Sequence, residues 1–116
     1  MSGITFFKTD KLQELKEFYQ KRIGATLWKD QGQCLIFEKQ GFRIGFCSSD
    51  GAPETCGILT FVYDSKKDVD RAYQSLKDIA KDEPVSRRPD FDIYQFFAED
   101  PEGRTLEFQC FLGNPE

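Results

Sequence analysis

Glu107 and Cys47 are the side chains whose type and surroundings offer most to chemistry. Glu107 lies between Leu106 and Phe108. A carboxylate in such apolar company suits a general acid or base, whereas a cationic neighbour would keep it ionised as the counter-ion of a basic ligand. Cys47 brings a thiol, but the chain contains no histidine. No imidazole can therefore activate it, and it reads as a soft contact rather than a nucleophile. The same lack removes Ser-His-Asp and Cys-His arrangements, the His-Glu-x-x-His zinc helix and any imidazole proton shuttle. Gly41 and Gly45 flank an apolar segment with no following helix that opens on Lys-Ser or Lys-Thr, so no phosphate loop is expected.

The four cysteines, Cys34, Cys47, Cys56 and Cys110, include no Cys-x-x-Cys pair. Without histidine they do not make a structural zinc site. Two disulfides would need an oxidising compartment, of which the sequence gives no sign, so free and mostly buried thiols are expected. A net charge of −4 argues against nucleic acid, which is gripped by clustered Lys and Arg. The chain has no apolar run long enough for a bilayer and no basic-then-apolar leader, which together predict a cytoplasmic protein without a membrane partner.

Positioning these groups falls to a duplicated pattern. The 116 residues suit a single domain, 1–116, and 12 of them are Phe, a surplus for that length. Ile4–Phe7 reads as a strand, Thr9-Asp10 as a cap, and Leu12, Leu15, Phe18, Tyr19 and Ile23 as one face of a helix over Lys11–Arg22. The order returns with a strand at Ile58–Tyr63 and a cap at Asp64-Ser65. A helix face follows at Val69, Ala72, Tyr73, Leu76, Ile79 and Ala80. Ser65 and Asp68 have the spacing of a capping box. Short extended runs follow each helix: Ala25–Trp28, Gln33–Glu38 and Phe42–Cys47 in the first copy, and Pro84–Arg88, Asp92–Ala98 and Arg104–Phe111 in the second. Each half therefore reads βαβββ, with module one at 1–50 and module two at 56–113.

The segment Asp100-Pro101-Glu102-Gly103-Arg104-Thr105-Leu106-Glu107-Phe108 resembles the last hairpin of the glyoxalase/bleomycin resistance protein/dioxygenase (vicinal oxygen chelate) superfamily, in which a D-P-x-G turn leads into a strand bearing an inward glutamate. Joined to the strand–cap–helix repeat, the resemblance covers nearly the whole chain. It implies an α+β fold of two βαβββ modules forming a curved, mixed, mostly antiparallel sheet with helices on its convex side. It also implies a divalent ion held by the first and last strands of both modules. Alignment on Asp10, Asp64 and the glycine turns puts Gly3, Gly45, Gly57 and Glu107 at those positions. Only Glu107 can ligate, too little for a specific transition-metal site, so no cofactor is expected unless a slip at Gly57 brings in Cys56.

Glycine at three ligand positions implies an enlarged hollow over the sheet. With those four residues facing it, alternation adds Thr5, Phe7, Arg43, Cys47, Leu59, Phe61, Tyr63, Thr105, Gln109 and Phe111 to the same face, with Trp28 at the rim. Ile4, Phe6, Ile44, Phe46, Ile58, Val62, Leu106 and Phe108 would pack beneath the helices. Arg43 is placed to pair with Glu107 across the sheet. The resemblance thus points to a metal-free, dimeric binder of an aromatic or cationic small molecule, of the bleomycin-resistance type. A lyase, isomerase or dioxygenase that uses Glu107 with a metal is the alternative, and a non-catalytic dimeric interaction module is the third reading.

Overall fold

In a computed structural model, which describes residues 1–113, the chain divides into two compact units, Met1–Thr55 and Cys56–Glu116. Each unit has the predicted βαβββ order. In the first, strand β1 (Thr5–Thr9) leads to helix α1 (Leu12–Glu17), and strands β2 (Thr26–Asp30), β3 (Cys34–Lys39) and β4 (Phe42–Ser48) follow. In the second, β5 (Ile58–Tyr63) leads to α2 (Lys66–Leu76), then to β6 (Val85–Arg87), β7 (Ile93–Glu99) and β8 (Thr105–Phe111). The two sheets have the same topology, β1-β4-β3-β2 and β5-β8-β7-β6, with the first and last strands of each unit parallel and the other pairs antiparallel. The fold is α+β, and no helix is long and apolar enough to cross a membrane.

Local chemistry sets the helix boundaries. Ser65 Oγ accepts from the Asp68 amide at 3.2 Å, as its cap spacing predicts. The first helix, by contrast, starts at Lys11 without a side-chain cap, and Thr9 Oγ1 only closes a local turn on the Lys11 amide at 2.9 Å. The first helix is shorter in α form than its periodicity suggests. It widens into a π turn over Phe18–Ile23 that buries the adjacent rings of Phe18 and Tyr19, and Gly24 ends it in the left-handed region at φ +82°.

Each helix covers one face of its own sheet with aromatic packing. In unit 1, Tyr19 sits 5.0 Å from Phe46 and 6.0 Å from Phe37, centroid to centroid. In unit 2, Phe108 stacks between Phe61 at 5.2 Å and Phe96 at 5.0 Å, and Tyr73 of α2 meets Phe96 edge-on. Much of the Phe surplus lies in these two layers, where each ring removes a large apolar area from water and adds ring–ring attraction.

The Asp100–Arg104 turn fixes where β8 begins, and hence where Glu107 stands. Asp100 Oδ1 accepts from the amides of Glu102 and Arg104, and the Gly103 amide closes on the Asp100 carbonyl with Gly103 at φ +86°. Arg104, 1% exposed, reaches Asp100 Oδ2 at 3.2 Å and Glu102 Oε1 at 2.7 Å. A buried guanidinium is tolerable only with such partners.

Two sets of face assignments differ from the expectation. Phe7 stacks with Phe46 on the helix side of sheet one, while Phe6, expected beneath the helix, lies on the opposite face beside Gly45. Leu59, Phe61 and Tyr63 likewise lie on the helix side of sheet two with Phe108, and Ile58, Thr60 and Val62 take the face of Glu107. One cause explains both shifts. Alternation holds only within extended backbone, and the two anchoring glycines lie outside their strands: β1 begins at Thr5, and Gly57 takes φ +89° just before β5. Gly45 and Glu107 lie inside β4 and β8, and there the predicted faces hold.

Candidate functional site

A chain of side-chain hydrogen bonds crosses all four strands of sheet two on the face away from α2. Arg87 of β6 donates from Nε to Gln95 Oε1 at 3.1 Å, and Gln95 of β7 donates from Nε2 to Glu107 Oε2. Thr60 of β5 donates from Oγ1 to Glu107 Oε1 at 2.7 Å. Register makes the alignment possible: Thr60 stands directly opposite Glu107 in the parallel pair, and Gln95 lies one step diagonally across β7. Glu107 is 8% exposed and receives one donor on each oxygen, which leaves further lone pairs available.

Gln109 lies two residues along β8, opposite Gln95 on one side and Val62 on the other. It is 8% exposed, and its Oε1 is buried without a hydrogen-bond partner among the described residues. Around these polar groups stand apolar side chains open to solvent: Ile58 and Val62 on β5 and Phe111 at the end of β8. The face thus combines hydrogen-bond acceptors at its centre with apolar surface at its margin, the usual composition of a small-molecule site.

Of the predicted site residues, Glu107, Gln109 and Phe111 share this face of unit 2, while Leu59, Phe61 and Tyr63 are core groups on its far side. Burial and the nearby Asp68 charge raise the pKa of the Tyr63 phenol. In unit 1, Arg43 is held by groups of its own unit. Its Nε pairs with Glu38 Oε2 at 2.8 Å, its Nη1 donates to Ser2 Oγ at 2.6 Å, and the guanidinium lies 3.9 Å from the ring centroid of Trp28. Arg43 and Trp28 do come together, but as a cation–π pair. Phe7 belongs to the core of that unit.

Two further expectations are overturned. Cys47 is not a free thiol but is bonded to Cys34, its direct neighbour across the β3–β4 hairpin; Cys56 and Cys110 are free. The register of that hairpin, invisible in the spacing of the cysteines, brings the pair together. Nor does Gly45 open a hollow, because the Phe6 ring occupies the space its missing side chain leaves.

Sequence reasoning missed Thr60, Gln95, Arg87 and Phe6. The signals were faint: Thr60 is the one polar residue in the Ile58–Val62 run, and Lys8 marks the solvent-facing parity of β1. The donor set on the Glu107 face does not fit a transition metal, since Glu107 is flanked by a hydroxyl and two amides rather than by His, Cys or further carboxylates. Among the described residues no group of three or more His, Cys, Asp or Glu gathers to hold an ion.

No protein-family model matches the sequence, and no curated protein matches it. Solved structures do. A glyoxalase/bleomycin resistance protein/dioxygenase from Nocardioides aligns with 100% of this chain and 87% of its own, at 19% identity and a TM-score of 0.78. A protein of the same description from Alicyclobacillus acidocaldarius aligns over 96% of this chain and 91% of its own, at 19% identity and a TM-score of 0.76. A lactoylglutathione lyase from Agrobacterium tumefaciens aligns over 95% and 92%, at 20% identity and a TM-score of 0.75. The chain shares the fold of these proteins.

Proposed function

We propose that the chain binds a small organic molecule, without a metal, on the face of sheet two that carries Glu107. The ligand bears an N–H donor, either a cation or an amide, beside an aromatic or aliphatic body. The observation that carries this reading is the partnerless Oε1 of Gln109 next to the Thr60–Glu107–Gln95–Arg87 chain. A buried acceptor left unpaired costs about 1–3 kcal/mol. A ligand N–H supplied to Gln109, with a second to a remaining lone pair of Glu107, recovers that cost, and Ile58, Val62 and Phe111 offer apolar contact to the rest of the molecule. Glu107 acts here as a counter-ion and orienting acceptor, not as a catalytic base.

Thermal-shift measurements with matched pairs of compounds, aromatic amines or amidines against carboxylates of the same skeleton, test the reading. Donor-bearing members should raise the melting temperature in a concentration-dependent way. Equal shifts from both members of every pair, or none from any, would count against it.

The exposed Ile58, Val62 and Phe111 also fit burial against a second copy of the chain. Sedimentation across a dilution series, with and without a bound amine, separates a homodimer interface from a ligand surface.

A further inference from the structure

We infer that Cys34 and Cys47 form a reversible exchange site for low-molecular-weight thiols, with Cys34 the sulfur attacked and Cys47 the sulfur released. The two residues face each other at the open end of the β3–β4 hairpin, with Cα atoms 4.0 Å apart. Five further residue pairs, from Leu35↔Phe46 to Lys39↔Phe42, hold the strands in register, and the Ser48 amide closes the end on the Gln33 carbonyl at 2.8 Å. Opening the bond therefore leaves the thiols side by side, ready to close again. The cross-link also spans only 13 positions, a loop that the backbone ladder already closes. Holding the unit together is thus mainly the work of the ladder.

Access and charge favour exchange. Both cysteines are half-buried, next to the Gln31–Gln33 turn, so an incoming thiolate has a path to sulfur. Lys8 stands opposite Cys47 in the parallel β1–β4 pair. It shares that face of the sheet, as Phe6 shares the face of Gly45 two pairs earlier. An ammonium group there stabilises negative charge on the Cys47 sulfur, which makes it the better leaving group.

The first step is attack of a small thiolate on Cys34 Sγ. A mixed disulfide forms there, the Cys34–Cys47 bond breaks, and its electron pair goes to Cys47 Sγ. A second small thiolate then attacks the small-molecule sulfur of the mixed disulfide, releasing the Cys34 thiolate and the small-molecule disulfide. The protons of the two small thiols end on Cys34 and Cys47, so the protein gains two electrons and two protons.

The full chain, with Cys56→Ser to remove the exposed free thiol, is equilibrated in glutathione buffers of graded redox poise. It is then acid-quenched, alkylated and mapped by mass spectrometry, with circular dichroism as a check on folding. The expected result is interconversion of disulfide and dithiol in the folded protein, with the transient glutathione adduct on Cys34. Lys8→Met should slow opening about threefold or more through loss of leaving-group stabilisation. Opening only after denaturation would overturn the exchange site, and an adduct confined to Cys47 would overturn the assigned direction. Both readouts are made with Cys34 and Cys47 intact, so neither depends on a cysteine variant of the pair folding.

Discussion

Phe6 and Gly45 stand opposite each other in the parallel pair of β1 and β4, and the Phe6 ring lies where a Gly45 side chain would be. The glycine accommodates an aromatic group, itself 49% exposed, on the face away from the helix. A side chain and its missing neighbour thus act as one packing unit. Gly45→Ala should displace the ring and lower stability by about 1 kcal/mol, at the mild end of overpacking because the ring can swing toward solvent. In a Phe6→Ala background the same change should cost little. Chemical denaturation of the four proteins of this cycle gives the coupling, and a coupling of zero would show that the ring does not rely on the glycine.

Gln109 sets stability against binding. Its buried Oε1 lacks a partner, so Gln109→Met, which keeps the length and removes the amide, should stabilise the ligand-free protein by about 1 kcal/mol. The same change should weaken binding of an amine or amide ligand by tenfold or more, on the order of 1.4 kcal/mol. Denaturant midpoints and calorimetric titration together check both halves. A variant that is less stable and binds unchanged would show the amide to be satisfied and unconnected with the ligand.

Thr60 should matter through Glu107. Thr60→Val keeps the shape but removes the donor to Oε1, leaving a buried carboxylate with one protein donor fewer. The expected loss is about 1–3 kcal/mol of folding stability. In Thr60→Ser the hydroxyl remains and most of that loss should be absent. Matching losses in the two variants would mean that the methyl group, not the hydrogen bond, carries the effect.

The repeat, the Ser65 cap and the eight strands were legible in the sequence because each rests on short-range signals: the periods 3.6 and 2, a Ser before a helix, glycine at a turn. Faces were legible where the reference residue lies inside a strand, as Gly45 and Glu107 do. They were lost where it precedes one, as Gly3 and Gly57 do, because alternation holds only within extended backbone, and at Gly57 a left-handed residue resets it. The hydrogen-bond chain depends on the register between paired strands, Thr60 against Glu107 and Glu107 against Phe97, which alternation within a single strand does not encode. The Cys34–Cys47 bond was hidden for the same reason.

Arg104 tests how firmly the turn before β8 is set. Arg104→Ala leaves Asp100 and Glu102, both buried in this turn, without their cation, and should cost about 3–5 kcal/mol. The register of β8 should loosen with it, so amide exchange at Leu106 and Phe108 should accelerate as well as global unfolding. Exchange that stays slow in the variant would place the register in the strand pairing rather than the turn.

Tyr94 offers a test on the opposite side of sheet two. Its hydroxyl donates to Asp70 Oδ1 at 2.6 Å, and that bond, with some desolvation and the Asp70 charge, pushes the phenol up to about 12 from an ordinary 10. Between those values the unfolded chain has lost this proton and the folded one keeps it, so the fold binds more protons and its stability falls as pH rises through the window. Ultraviolet titration of tyrosinate should therefore show a late component near pH 12 that Tyr94→Phe removes and Asp70→Ala moves back toward about 10. Stability measured across the same range should decline less steeply in Asp70→Ala than in the parent chain. A late component that survives Asp70→Ala would assign the shift to burial rather than to the hydrogen bond between α2 and β7.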